Sequence, residues 1–119
     1  MFAFEKLDVW QLAVEYCDDV YRITRRFPSD ERFGLTSQLR RAAVSVAANI
    51  AEGSGRLSKK DFARFVEIGY GSVGEVVTEF TIAKRQDMIS EGDFALVYGK
   101  AERVAQMLSR LRSSLLPAE

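Results

Sequence analysis

The sequence predicts an all-α protein that folds as an antiparallel up-down-up-down four-helix bundle. Four stretches carry apolar residues at three- and four-residue steps, which is typical of helices with one buried face. The chain contains only two prolines, Pro28 and Pro117, and both fall at predicted helix ends. The connections between the four stretches are short, which favours antiparallel neighbours. At 119 residues the chain is predicted to form one domain, 1–119.

The first helix is predicted to begin at Asp8, which has Gln11 three residues later in a capping-box-like pattern, and to end before Pro28. Its predicted core face carries Trp10, Ala13, Val14, Cys17, Val20, Tyr21 and Thr24. A second face is also apolar, and a straight helix cannot bury both faces in one bundle core. We therefore expect contacts with another copy of the chain from Trp10, Leu12, Tyr16 and Ile23.

The second helix is predicted from Leu35 to about Glu52 and is rich in alanine, which lets another backbone come close. Its polar stripe contains no lysine and consists of Gln38, Arg41, Ser45, Asn49 and Glu52. We expect this stripe, together with Glu75, to contact a neighbouring helix, subunit or ligand; the alternative is an ordinary solvated face. Gly53 and Gly55 are expected to be left-handed residues beyond the helix end.

The third and fourth helices have clear start signals, because Ser58 precedes Asp61 and Ser90 precedes Asp93 by three residues. The third helix is predicted from Lys59 to about Gln86, and the fourth extends to Pro117. Three glycines interrupt the third helix: Gly69, Gly71 and Gly74. Each costs about 1 kcal/mol relative to alanine, so we expect close approach of the second helix or of another subunit. Arg41 should then lie near these glycines, with Glu67 or Glu75 as its carboxylate partner.

Several kinds of chemistry lack the residues they need. The chain has no histidine, which removes the commonest general base and metal ligand. The glycine-rich run at 53–56 lacks the phosphate-loop pattern. We therefore expect no enzyme activity, no metal site and no cofactor. Cys17 is alone, so it is predicted to be a small core residue, which suggests a reducing cytoplasm. The N-terminus does not resemble a secretory signal and no apolar run approaches a membrane span, so we expect a cytoplasmic protein without membrane contact.

The net charge is zero, but the charges are unevenly placed. Residues 22–64 carry ten basic and four acidic residues, net +6. This excess could contact nucleic-acid phosphates at Arg22, Arg25, Arg26, Arg40, Arg41, Arg56, Lys59, Lys60 and Arg64. In a bundle these residues would form two patches at opposite ends. No aromatic residue is expected among them in a position to stack on bases. The alternative is that the arginines pair with acids of the other helices.

Particular motifs resemble a known family. They are LDVWQ at 7–11, FGLTSQLRRAAVS at 33–45, NIAEGSGR at 49–56, and Gly71-Ser72 with Glu75. These motifs resemble the small four-helix bundle proteins first known from intervening sequences in 23S ribosomal RNA genes, over essentially the whole chain. The accessory proteins of diversity-generating retroelements are distant relatives that bind RNA and a reverse transcriptase. The resemblance implies a ring-shaped homo-oligomer, a pentamer, around a central channel.

Two functional hypotheses follow. The first is a non-enzymatic, oligomeric protein that associates with RNA through its basic residues. The second is a protein-interaction scaffold that binds no nucleic acid, in which the basic excess serves ion pairs between subunits.

Overall fold

The chain forms four long helices, as predicted. The computed structural model describes residues 1–117, which contain α1 (Asp8–Thr24), α2 (Leu35–Ser54), α3 (Lys59–Arg85), α4 (Glu91–Leu115) and two short 3-10 helices (Ala3–Lys6 and Ser29–Glu31). Each long helix packs against the next one in sequence, and α4 also packs against α1. This is the predicted antiparallel up-down-up-down bundle. Among residues 1–117, none of the helices combines the length and the apolar character that a bilayer crossing requires.

Serine side chains cap the two longest helices, as predicted. The Ser58 hydroxyl accepts a hydrogen bond from the Asp61 backbone N–H (3.0 Å), and the Ser90 hydroxyl accepts one from that of Asp93 (3.1 Å). Each bond satisfies one of the backbone donors that a helix start leaves without a partner. The aspartates also place negative charge in the first turn, where the helix dipole favours it.

The predicted cap of α1 is wrong. Asp8 is the first helical residue, and the extended residue before it is Leu7, which has no capping side chain. Gln11 instead donates a hydrogen bond from Nε2 to the Glu5 carbonyl oxygen (2.8 Å). This bond fastens the first 3-10 helix to α1, so the polar pair at the helix start serves the preceding segment.

The buried face of α1 also differs from the prediction. Leu12, Tyr16 and Ile23 are buried in the core of the protomer, so they cannot make the predicted contacts with another copy. Val14 and Tyr21, which were predicted to be core residues, are each 36% exposed. The helix therefore has one buried face, rotated from the predicted one. The remaining predicted contact residue, Trp10, is partly buried and packs edge-to-face on Phe4, with ring centroids 5.2 Å apart.

Cys17 lies between α1 and α2 and behaves as the predicted small core residue. Its thiol donates a hydrogen bond to the Ala43 carbonyl oxygen (3.0 Å) and packs against the core. Burial, and to a smaller extent the Asp18 carboxylate, raises the pKa of Cys17 to about 11. The thiol is therefore protonated at neutral pH, where it is a poor nucleophile.

The glycines at the end of α2 are not left-handed. Gly53 lies inside α2 and is buried against Phe62 and Phe65, while Gly55 has a φ of −85°. The left-handed residue is Asp87 (φ 58°), directly after the C-cap of α3. There the Met88 backbone N–H bonds to the Ala83 carbonyl (2.9 Å) and that of Asp87 bonds to the Lys84 carbonyl (3.1 Å). This is the Schellman arrangement, formed without its usual glycine.

Only one of the three glycines within α3 lies against α2. A Cβ on Gly69 would be 3.6 Å from the Val46 carbonyl oxygen and 3.8 Å from the Asn49 Cβ, an ordinary packing distance. Apart from the backbone of α3 itself, a Cβ on Gly71 or Gly74 would have no atom of residues 1–117 within 4 Å. The close approach of α2 is therefore found at Gly69 and not at Gly71 or Gly74, for which the predicted alternative, another subunit, stays a prediction.

Alanine substitution should separate a packed glycine from an open one. In Gly53→Ala the new Cβ would lie 2.8 Å from both the Phe62 Cδ1 and the Phe65 Cβ. We expect the free energy of unfolding to fall by about 1–2 kcal/mol, measured by urea denaturation. Gly99→Ala is the control, because no atom lies within 4 Å of its Cβ position in residues 1–117. It should raise the free energy of unfolding by about 0.5–1 kcal/mol through helix propensity. A stabilising Gly53→Ala would contradict the packing described for α2 and α3.

Candidate nucleic-acid interface

A basic groove lies where the end of α1 and the connection after it meet the exposed side of α2. Its volume is about 520 Å³. The lining residues, which define the basic groove, are Tyr21, Arg32, Phe33, Thr36, Ser37, Arg40, Arg41, Val44 and Ser45. They include three arginines and no carboxylate. Such a surface attracts anions and has no internal counter-charge among its lining side chains.

Arg40 is held in the groove by two contacts with α1. Its Nε donates a hydrogen bond to the Thr24 hydroxyl oxygen (3.0 Å), and that hydroxyl in turn donates to the Val20 carbonyl (2.7 Å). The guanidinium also lies over the Tyr21 ring, 4.6 Å from its centroid. These contacts orient the cation without neutralising its charge.

A second arginine and aromatic pair lies at the other side of the groove, in the connection before α2. The Arg32 guanidinium is 4.9 Å from the centroid of the Phe33 ring, which is 86% exposed. The prediction that no aromatic residue lies among the basic side chains is therefore wrong. The signal was present in the sequence, because Arg32 and Phe33 are adjacent, but Arg32 was not among the predicted contacts. The pair of Tyr21 and Arg40 could not be predicted in this way, because it forms only when α1 packs against α2.

Arg41 lies on the exposed ridge of α2 and lines two grooves. The second, which we call the polar groove, has a volume of about 400 Å³ between α2 and α3. Its lining residues are Gln38, Arg41, Ala42, Ser45, Ser72, Glu75 and Glu79. Glu75 and Arg41 line the same groove, but the predicted ion pair between them is not formed, because within residues 1–117 Arg41 has no carboxylate oxygen within 4.0 Å. The prediction that Glu67 pairs with Arg41 is also wrong, because the Glu67 carboxylate pairs with the Arg112 Nε (2.6 Å).

The middle of the predicted polar stripe contacts α3. The hydroxyl oxygens of Ser45 and Ser72 are hydrogen-bonded (2.9 Å). Asn49 Nδ2 donates to both the carbonyl oxygen (2.8 Å) and the hydroxyl oxygen (2.9 Å) of Ser45. Glu52, at the end of the stripe, instead pairs with Arg56 (2.7 Å). The stripe therefore joins two helices at its centre and is exposed at Gln38, Arg41 and Glu52.

Glu79 is the unusual carboxyl group of the polar groove. Its Oε1 atom is buried and has no hydrogen-bond partner among residues 1–117. Burial, and secondarily the neighbouring Glu75 carboxylate, raises the pKa of Glu79 above its usual range. No local pattern in the sequence predicts this, because the environment of Glu79 depends on how the helices pack around the polar groove.

Two of the three predicted basic residues at the end of α1 are already paired. Arg22 lies 3.4 Å from Asp19 and 3.8 Å from Asp93, and Arg26 lies 3.6 Å from Asp93. Arg25 is exposed, and no carboxylate of residues 1–117 lies within 4.0 Å of it. The alternative prediction of internal pairing therefore holds for Arg22 and Arg26.

The other predicted basic residues lie at the opposite end of the bundle, where α2 connects to α3. Arg56 pairs with Glu52, and both Arg56 and Arg64 lie over the Phe65 ring, 4.6 and 5.6 Å from its centroid. Lys59 and Lys60 are exposed and border a depression lined by the end of α4. The antiparallel arrangement thus separates these residues from the basic groove by the length of α2.

The described part of the chain offers no constellation for metal chemistry. Among residues 1–117, no three His, Cys, Asp or Glu side chains are grouped so that they could hold a metal ion. The features that stand out are the arginine and aromatic pairs of the basic groove and the hydrogen-bonded polar groove beside it. The three arginines of the basic groove suit binding of an anionic partner, whereas Glu75 and Glu79 give the polar groove carboxylates of its own.

Comparison with known proteins agrees with the motifs of the sequence. The model of the family described as 23S rRNA-intervening sequence protein matches residues 5–110. A solved structure of a protein of unknown function from the S23 ribosomal protein family of Bacteroides thetaiotaomicron is similar, with a TM-score of 0.82 and 17% sequence identity. The match covers 88% of this chain and 95% of that chain, and at this identity it shows the shared fold alone. No curated protein matches the chain. The likeness to retroelement accessory proteins stays a prediction.

Replacing Glu79 should stabilise the protein in a pH-dependent way. The pKa of Glu79 is higher in the folded protein than in the unfolded chain, so the folded state holds this proton more tightly. As the pH rises from the unfolded pKa through the folded pKa, ionisation of Glu79 therefore lowers the free energy of unfolding. Glu79→Gln should therefore raise the free energy of unfolding at neutral pH and raise it less at about pH 4, where the unfolded chain also holds much of this proton. Urea denaturation at both pH values measures this. The control is Glu102→Gln, which removes an exposed carboxylate. A uniform effect at both pH values would contradict the assignment.

Proposed function

The chain belongs to the 23S rRNA-intervening sequence protein family, and we propose that it is a non-enzymatic, cytoplasmic protein that binds RNA as a homo-oligomer. The observation that carries the RNA proposal is the basic groove, where three arginines meet with no carboxylate among the lining residues. Arginine guanidinium groups suit phosphate oxygens in both charge and hydrogen-bond geometry.

The proposal places RNA mainly on Arg40 and Arg41, among the nine predicted contacts. Arg22, Arg26 and Arg56 already have carboxylate partners within the protomer, which reduces their attraction for phosphate. Exposed residues at the two ends, such as Arg25, would add weaker contacts at a distance from the groove. Contacts with the backbone alone would bind many RNA sequences with similar affinity.

Oligomerisation is supported by an apolar groove of about 230 Å³ on the outer side of α3 and α4. Its lining residues are Tyr70, Val73, Gly74, Val77, Tyr98, Ala101, Glu102 and Ala105. Gly74 costs helix stability here, yet its Cβ position meets no atom of residues 1–117 outside the neighbouring helical backbone. A helix of a second copy would use that space. We propose this groove as a contact in the pentamer that the family resemblance implies.

The second hypothesis, a scaffold that binds no nucleic acid, rests on the same apolar groove. In that case the apolar groove would still join copies of the chain, and the excess basic residues would form ion pairs between subunits. Charge reversal of Arg56, Lys59 and Lys60 to glutamate distinguishes the two hypotheses at the far end of the bundle. The scaffold hypothesis predicts altered assembly, and the RNA hypothesis predicts weaker RNA binding with assembly intact.

Arg41→Ala should weaken RNA binding by about tenfold and lower the slope of log affinity against log salt by about one, because one phosphate contact is lost. Fluorescence anisotropy with a labelled structured RNA across a salt series measures both quantities. Arg103→Ala is the matched control, since Arg103 is an exposed arginine of α4 outside the groove. Equal losses in the two variants would place the binding surface elsewhere.

Tyr98→Glu should dissociate the proposed oligomer, because it places a charge in the apolar groove. Ile82→Glu is the control: Ile82 and Tyr98 are both 44% exposed, but Ile82 does not line the groove. Light scattering on purified protein at micromolar concentration should give a multimeric mass for the wild type and for Ile82→Glu, and a smaller mass for Tyr98→Glu. A monomeric wild type would remove the oligomer from the proposal.

A further inference from the structure

Phe33 is an exposed aromatic ring on a well-fastened segment. The Glu31 carboxylate accepts a hydrogen bond from the Leu35 backbone N–H (3.1 Å), and the Glu31 carbonyl accepts one from that of Gly34 (3.0 Å). These bonds close the connection around Phe33, yet 86% of its surface remains exposed. Burying a phenylalanine side chain stabilises a folded protein, and this position does not gain that stabilisation. The backbone at Phe33 is thus held in place while its ring stays in water, with a surface free for a partner.

The surroundings of the ring are cationic on the side of the basic groove. Arg32 lies over the Phe33 ring, and Arg40 lies over the Tyr21 ring across the groove. Arg41 and the hydroxyl-bearing side chains of Thr36 and Ser37 line the space between them. Rings beside guanidinium groups are the combination that binds single-stranded nucleic acid, with bases on the rings and phosphates on the cations.

We propose that the basic groove binds an unpaired stretch of RNA, with one base stacked on Phe33 and the adjoining phosphates on Arg40 and Arg41. This inference rests on the proposed function, because it takes the groove to be the RNA-binding surface. The inference adds which class of RNA the groove binds, namely RNA that is unpaired at the point of contact. In a duplex the bases are stacked on one another and their faces are not available to Phe33, whereas loops, bulges and ends expose them. The RNA partner is therefore single-stranded where it meets the groove.

Substitution of Phe33 separates stacking from phosphate binding. Phe33→Ala should weaken binding of a labelled single-stranded RNA oligonucleotide by about 5- to 150-fold, the range for one stacked base. Binding of a blunt RNA duplex of the same sequence should not change, and neither should the salt slope for the single strand. Phe33→Trp should bind the single strand as well as the wild type. Its added fluorescence should be quenched by the single strand, with the wild type as reference because Trp10 is its only tryptophan.

Three other outcomes would overturn the proposal in distinguishable ways. If Phe33→Ala binds the single strand as the wild type does while Arg41→Ala binds it weakly, the groove contacts phosphates without stacking, and only this inference fails. If the wild type binds neither RNA at low salt, the proposed RNA function fails with it. If Phe33→Ala leaves RNA binding intact but lowers the mass seen by light scattering, Phe33 is a contact between copies.

An unchanged melting temperature of Phe33→Ala is expected because the side chain is exposed. It shows that a change in RNA binding or in mass does not come from loss of the fold.

Discussion

The close approach of α2 and α3 is the constraint on which the rest of the structure depends. The two helices form the most extensive pair in the bundle. Gly53 makes this possible near the end of α2, because a Cβ there would lie only 2.8 Å from atoms of Phe62 and Phe65. Two helices with large side chains along the whole contact would lie farther apart. The hydrogen bond between Ser45 and Ser72 then fixes one helix along the other, because a shift of either would break it.

This packing also determines where the two grooves lie. Since α2 is held closely to α3 on one side and to α1 on the other, its outward ridge stands between two depressions. Arg41 and Ser45 line both the basic groove and the polar groove. Glu79, whose Oε1 atom has no hydrogen-bond partner in the described part of the chain, lines the polar groove between the same two helices. A binding surface on this protein is thus a product of helix packing and requires no long loop.

The sequence predicted the elements well and their faces less well. Apolar periodicity located all four helices, and the serine caps of α3 and α4 are local signals that depend on three residues each. The face of α1 was mistaken because Val14 and Tyr21 are as apolar as Leu12 and Tyr16, so periodicity alone does not choose between the faces. Likewise, a glycine in a sequence does not say whether space beside it is occupied. Gly69 and Gly74 look alike in the sequence, and only the position of α2 distinguishes them.

The net charge of the chain did not predict the local charge of its surface, because it does not show which charged side chains form ion pairs with one another. Asp93 at the start of α4 lies near both Arg22 and Arg26, and Asp19 binds Lys100 (2.6 Å), so many opposite charges are used in joining α1 to α4. These pairs link residues far apart in sequence, which no local pattern predicts. The arginines of the basic groove interact instead with aromatic rings and a hydroxyl group, which leave their charge available. A chain with zero net charge can therefore present a cationic surface where its charges are unevenly placed, as in the basic groove, which no carboxylate lines.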